Sequence, residues 1–126
     1  MLVGVLLAAA VAGCLRERDR LDIPRITLVL AQELVAPGDS VRGYVYAVDA
    51  TGIIFLQVTA ETGDSISSRR LNRISADSAH LDFALRVPAD APADAVVRIH
   101  AIARDTQDFE VTFTDTVFVR LGGPPP

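Results

Sequence analysis

Lysine and tryptophan are absent from this sequence, cysteine occurs once, and aromatic residues make up only 6% of it. Each shortage excludes something. One cysteine allows no internal disulfide and no structural zinc site built on thiolates. With so few rings the core must be mostly aliphatic, and half of all residues are apolar. Because lysine is missing, all twelve basic residues are arginine. Arginine suits bidentate recognition of anions, although a GC-rich coding bias gives the same composition. The net charge of −4 argues against nonspecific nucleic-acid binding as the main activity. No internal repeat, low-complexity segment or helical period of useful length occurs.

What is present begins with an uninterrupted apolar run, MLVGVLLAAAVAGC, that closes on the single cysteine, Cys14. A secretory leader needs an apolar segment of about 7–15 residues followed by small residues that fit a peptidase. Leu2 to Val11 supplies the first and Ala12-Gly13 the second. Arg16 stops the run before it reaches the roughly 20 residues of a bilayer span. A buried helix of a cytosolic protein would show one polar face, and this segment has none.

Val11-Ala12-Gly13-Cys14 resembles the lipobox of bacterial lipoproteins. The resemblance implies cleavage between Gly13 and Cys14, a diacylglyceryl group on the Cys14 sulfur, and a further acyl chain on its amine. Each buried methylene contributes about 0.8 kcal/mol, so two or three chains make a stable membrane anchor where one does not. The pattern departs from the family in one respect: no Lys or Arg precedes the apolar run. Either the α-amino group supplies the positive charge or a basic leader lies upstream of Met1. Leu15 stands where an aspartate would retain some enterobacterial lipoproteins in the inner membrane, so the expected location is the cell envelope, lipid-anchored at the outer membrane.

Removing 13 of the 126 residues leaves 113, enough for one core. Residues 15–25, LRERDRLDIPR, alternate in charge and end near a proline, as a solvated tether does. Its eleven residues reach at most about 35–40 Å.

From Arg25 onward the period is two. Ile26, Leu28 and Leu30 alternate with polar neighbours. After the turn at Ala36-Pro37-Gly38-Asp39, Val41, Gly43, Val45 and Ala47 share an inner face, and Gly43 there signals a bulge or a close crossing strand. A turn is expected at Asp49–Gly52, then an inner row of Ile54, Leu56, Val58 and Ala60. Thr62-Gly63-Asp64 turns again, and Ser65 to Ile74 reads as a short charged edge strand plus loop. Leu81, Phe83, Leu85 and Val87 form the clearest inner row, followed by Val97, Ile99, Ala101 and Ala103, and by Val111, Phe113, Val117 and Val119. About seven short alternating strands predict an all-β, seven-stranded antiparallel sandwich rather than an eight-stranded barrel.

APGDSVRGYVYAVDATG (Ala36–Gly52) resembles the second strand and following turn of bacterial immunoglobulin-like domains, and VVRIHAIARD (Val96–Asp105) resembles their penultimate strand. No core Trp, disulfide pair or corner tyrosine accompanies them. The resemblance implies a rigid scaffold for binding or spacing, usually without catalysis. The expected organisation is a signal peptide over 1–13, a lipidated cysteine and tether over 14–25, an immunoglobulin-like sandwich over 26–121 and a disordered tail over 122–126.

Catalytic chemistry finds little support. His80 and His100 sit one per strand on outward faces, and a metal site would need them to converge with carboxylates. Ser78, His80 and Asp82 share a face but lack a buried orienting partner, and no G-x-S-x-G elbow occurs. The turn aspartates Asp49, Asp64, Asp77, Asp105 and Asp108 form no dense run of calcium ligands; aspartate in a turn is first a local backbone acceptor. No enzyme activity, metal or cofactor is therefore expected. Arg69, Arg70 and Arg73 form the densest basic patch, able to dock an anion or simply to solvate an edge. With the strand at Ile53 beside those at Val96 and Val111, the outward residues Phe55, Gln57, Thr59, Arg98, His100, Thr114 and Thr116 would form one aromatic and polar ligand face. Expected partners are the membrane, through covalent lipid, and an envelope protein or glycan.

Overall fold

The computed structural model describes residues 23–121, and of residues 72, 73 and 75 the backbone only. The leader, Gly13, Cys14, most of the tether and the tail over 122–126 lie outside the described residues. The described chain is all-β: β1 (Arg25–Leu30), β2 (Leu34–Val35), β3 (Ser40–Thr62), β4 (Ser65–Arg86), β5 (Val96–Asp105) and β6 (Glu110–Val119). No helix among the described residues is long and apolar enough to cross a membrane.

The strands form one mixed sheet in the order β1-β3-β5-β6-β2, with β4 also paired to β3. All pairings are antiparallel except that of β2 with β6. This differs from seven separate antiparallel strands. β3 spans 23 residues and β4 spans 22, and each contains two of the alternating segments that the period distinguishes. They form one long hairpin around Gly63-Asp64. Gly63 has φ +57°, as the first position of a tight II′ hairpin turn requires.

The two halves of β3 have different neighbours. Ser40–Val48 lies between β1 and residues 78–86 of β4, while Ile53–Thr62 lies between residues 65–76 of β4 and β5. The expected turn at Asp49–Gly52 is thus a break in register and not a reversal: six residues of β3, Val48 to Ile53, face three of β4, Ser78 to Ala76. A second irregularity between Ile53 and Phe55 shifts side-chain parity by one, as bulges do. Ile53 is therefore fully buried and Ile54 is not, which corrects the first member of that inner row.

The sheet curls so that β1 comes near β5 and β6. Its concave side encloses one aliphatic cluster that includes Val41, Val45, Leu56, Val58, Leu81, Phe83, Leu85, Val97, Ile99, Val117 and Val119. Burying a side chain of this size contributes about 1.5–3 kcal/mol. The alternation of β5 and of the second half of β4 is met residue by residue.

Two further expectations are corrected. Ser65–Ile74 is continuous strand, because pairing propagates from the tight turn along the hairpin. Phe113 has core parity yet is 47% exposed. β2 covers β6 only at Phe118 and Val119, so the stretch around Phe113 is sheet margin.

Candidate functional site

The outer face of the second half of the sheet is assembled by register. Thr59 on β3 lies opposite Ser68 on β4 and His100 on β5, and His100 lies opposite Thr114 on β6. These four form a row perpendicular to the strands, about 14 Å long at the usual inter-strand spacing. Thr59 and Ser68 hydroxyls are 3.0 Å apart, and His100 Nδ1 is 3.0 Å from Thr114 Oγ1. Gln57 Nε2 donates to Thr59 Oγ1 at 3.0 Å. One flanking row holds Glu61, Arg98 and Thr116; the other holds Arg70, Gln57, Ile102 and Thr112. Period-two alternation, cut into register by the hairpin, puts every one of these side chains outward.

All seven residues expected on a ligand face lie on this side. Six belong to the three adjoining rows. Phe55 sits at the far end, under the Arg104 guanidinium, whose carbon is 5.4 Å from the ring centroid. Arg104 also donates to Glu110 at 3.2 Å.

Arg69 and Arg70 are adjacent in sequence and would alternate on an interior strand. Here β4 is the sheet margin, and both line a groove of about 380 Å³ with Gln57 and Ser68. The Arg73 side chain lies outside the described residues. Neither Arg69 nor Arg70 belongs to an ion pair among the described residues.

The outer face of the first half is different. Tyr44, Tyr46, Val29 and Val48 are all exposed there. The Tyr44 ring stacks on His80 with centroids 5.0 Å apart, and His80 Nε2 is 2.9 Å from Asp82 Oδ1. Ser78, His80 and Asp82 share this face as alternation requires. His80 and Asp82 are both exposed, and no described hydrogen bond joins Ser78 to His80. No group of three or more His, Cys, Asp or Glu converges among the described residues.

Sequence reasoning missed Asp49 and Asp105 as interior residues. Asp49 is 3% exposed and Asp105 is fully buried. Asp49 Oδ1 accepts the Thr51 amide at 2.8 Å and the Thr51 hydroxyl. Asp105 Oδ1 accepts the Gln107 and Phe109 amides, both at 2.9 Å. The local signal was readable, since aspartate two residues before a turn amide is a common cap. The burial was not, because it depends on two segments meeting. Burial pushes the Asp105 carboxyl above the ordinary aspartate range; the amides of Phe109 and Gln107 oppose this, and nearby Asp49 adds to it.

No protein-family model matches the chain, and no curated protein matches it. Solved structures do. A sporulation control protein from Bacillus subtilis superposes with a TM-score of 0.60 at 15% identity, over 79% of this chain and 50% of the other. A FixG-related protein from Vibrio parahaemolyticus superposes with a TM-score of 0.56 at 10% identity, over 79% of this chain and 99% of the other. The present chain therefore matches about half the length of the sporulation protein. At these identities the likeness is one of fold.

Proposed function

We propose that this protein is a lipid-anchored envelope lipoprotein, held at the outer membrane through Cys14, whose immunoglobulin-like sandwich domain binds a protein or glycan without catalysis. The observation that carries the binding role is the outward row Ser68–Thr59–His100–Thr114, flanked by Arg98 and Arg70. It is an outward sheet surface rich in hydroxyl, amide, imidazole and guanidinium groups, suited to many weak hydrogen bonds. The sandwich reading is supported by the bend: the two halves of β3 pair with different neighbours, and the sheet curls around one core. The lipid anchor is supported by the sequence of residues 1–14.

A second reading is favoured by the outer face of the first half of the sheet. Val29, Tyr44, Tyr46 and Val48 form an exposed apolar patch of the kind that packs against a permanent neighbour. On that reading the protein is an accessory subunit of an envelope complex.

The anchor is tested by palmitate labelling: label is expected in the native protein and absent from Cys14→Ser, and label retained by the variant overturns it. The binding face is tested by crosslinked recovery from native membranes. His100→Ala with Arg98→Ala should lose the partner while melting as the parent does. Equal recovery by the double variant refutes the face. Loss with Tyr44→Ala and Tyr46→Ala instead selects the accessory reading.

A further inference from the structure

Two carboxyl groups are buried side by side where the sheet bends. Asp49 ends the first half of β3, and Asp105 is the last residue of β5. Their segments are tied together: Ile53 pairs opposite Asp105, the Thr106 amide donates to Gly52 O at 3.0 Å, and the Thr106 hydroxyl donates to Thr51 O at 3.0 Å. Each aspartate commits Oδ1 to its own turn. Each leaves Oδ2 buried with no hydrogen-bond partner among the described residues. Asp49 is near enough that its charge adds to the rise of the Asp105 carboxyl.

Two ionised carboxylates in this position would each keep a buried Oδ2 that no described residue partners. Such an arrangement is costly, because buried charge needs a partner and like charges repel. One proton removes both problems. It turns one Oδ2 into a donor and the other into its acceptor, as in carboxylate pairs that cannot both ionise.

We propose that Asp49 and Asp105 bind a single shared proton between their Oδ2 atoms, and that this proton latches the bend of β3 to the end of β5. The latch makes the fold tighter in acid than in alkali. A group whose folded-state affinity for its proton is raised stabilises the fold fully below its unfolded pKa. That stability is lost as pH rises through the folded value. Asp105 is raised, so the loss comes on the alkaline side of the ordinary aspartate range.

Among the described residues, no charged side chain on the packed elements forms an ion pair with either carboxyl. Arg25 lies across from Val48 on β1, and Asp77 adjoins Ala76 on β4; both are exposed. Arg104 is engaged by Glu110. Asp108, exposed, takes a left-handed φ of +65° in the turn after Asp105.

The test is thermal melting of the full-length protein from about pH 5 to about pH 8. Asp49→Asn keeps an Oδ1 acceptor for Thr51 and supplies a permanent N–H donor to Asp105. The native midpoint should fall as pH rises. The Asp49→Asn midpoint should stay flat and exceed the native one at the alkaline end by on the order of 4–8 °C. Parallel profiles, or a variant less stable at every pH, overturn the proposal. A calcium-dependent rise of the native midpoint at the alkaline end that Asp49→Asn abolishes also overturns it, because the pair would then hold a cation. Infrared titration of the native protein gives an answer independent of variant folding. The carbonyl band of an un-ionised carboxylic acid should persist above the pH at which a free aspartate titrates, about 3.9. Its disappearance there refutes the shared proton.

Discussion

The carbonyl oxygen of Val29 occupies the space that a side chain on Gly43 would need. β1 and β3 pair with Leu30 opposite Gly43, and a Cβ built at position 43 collides with that oxygen while also reaching the Phe83 ring at 3.0 Å. The obstacle is backbone, which cannot rotate away. Gly43→Ala should therefore destabilise the domain by about 1–3 kcal/mol, the usual cost of overpacking, with β1 displaced. Denaturant unfolding measures the loss, and amide exchange along β1 locates it.

Phe83 and Phe113 are expected to separate core from margin. Phe83 is 4% exposed within the aliphatic cluster, and Phe83→Ala should cost about 3–5 kcal/mol. Phe113→Ala, at a surface position, should stay within about 0.5 kcal/mol of the parent. Equal losses in chemical denaturation would contradict the curl of the sheet.

Gly63 is a purely conformational case. Nothing lies within 4 Å of a Cβ added there, and its φ is +57°. Gly63→Ala should cost about 1–2 kcal/mol from the left-handed backbone alone. Gly63→Asn should recover much of that, since asparagine tolerates this region. Midpoints of thermal unfolding for the two variants test the ordering.

Arg104 joins Phe55 and Glu110 at an accessible site. Arg104→Ala should cost less than about 1 kcal/mol, and part of the loss should vanish in high salt as the ion pair is screened. A salt-independent loss would assign the whole effect to packing on the ring.

Much of the fold was legible along the chain. The inner rows Leu81–Val87 and Val97–Ala103 are buried as their alternation requires, because a half-buried strand leaves a period of two in any sequence. The outward side of Gln57, Thr59, Arg98, His100, Thr114 and Thr116 was legible to the same extent, since outward parity follows from inward parity. What misled was punctuation. Asp49-Ala50-Thr51-Gly52 has turn composition, yet the chain bends there without reversing, and the bulge at Ile53 moves the inner row by one residue. Phe113 misled for another reason: parity assigns a side of the sheet, and only neighbouring strands decide whether that side is covered.

By itself, the sequence determined that the domain is built of strands, which side chains point inward wherever no bulge intervenes, and that the core is mostly aliphatic. These are local properties, set by alternation and composition. Tertiary structure alone decided that Thr59, His100 and Thr114 stand in one row and that Asp49 meets Asp105. Those meetings depend on register between distant segments, and register is settled by the hairpin turn and the bulges acting together, which no single stretch of sequence contains.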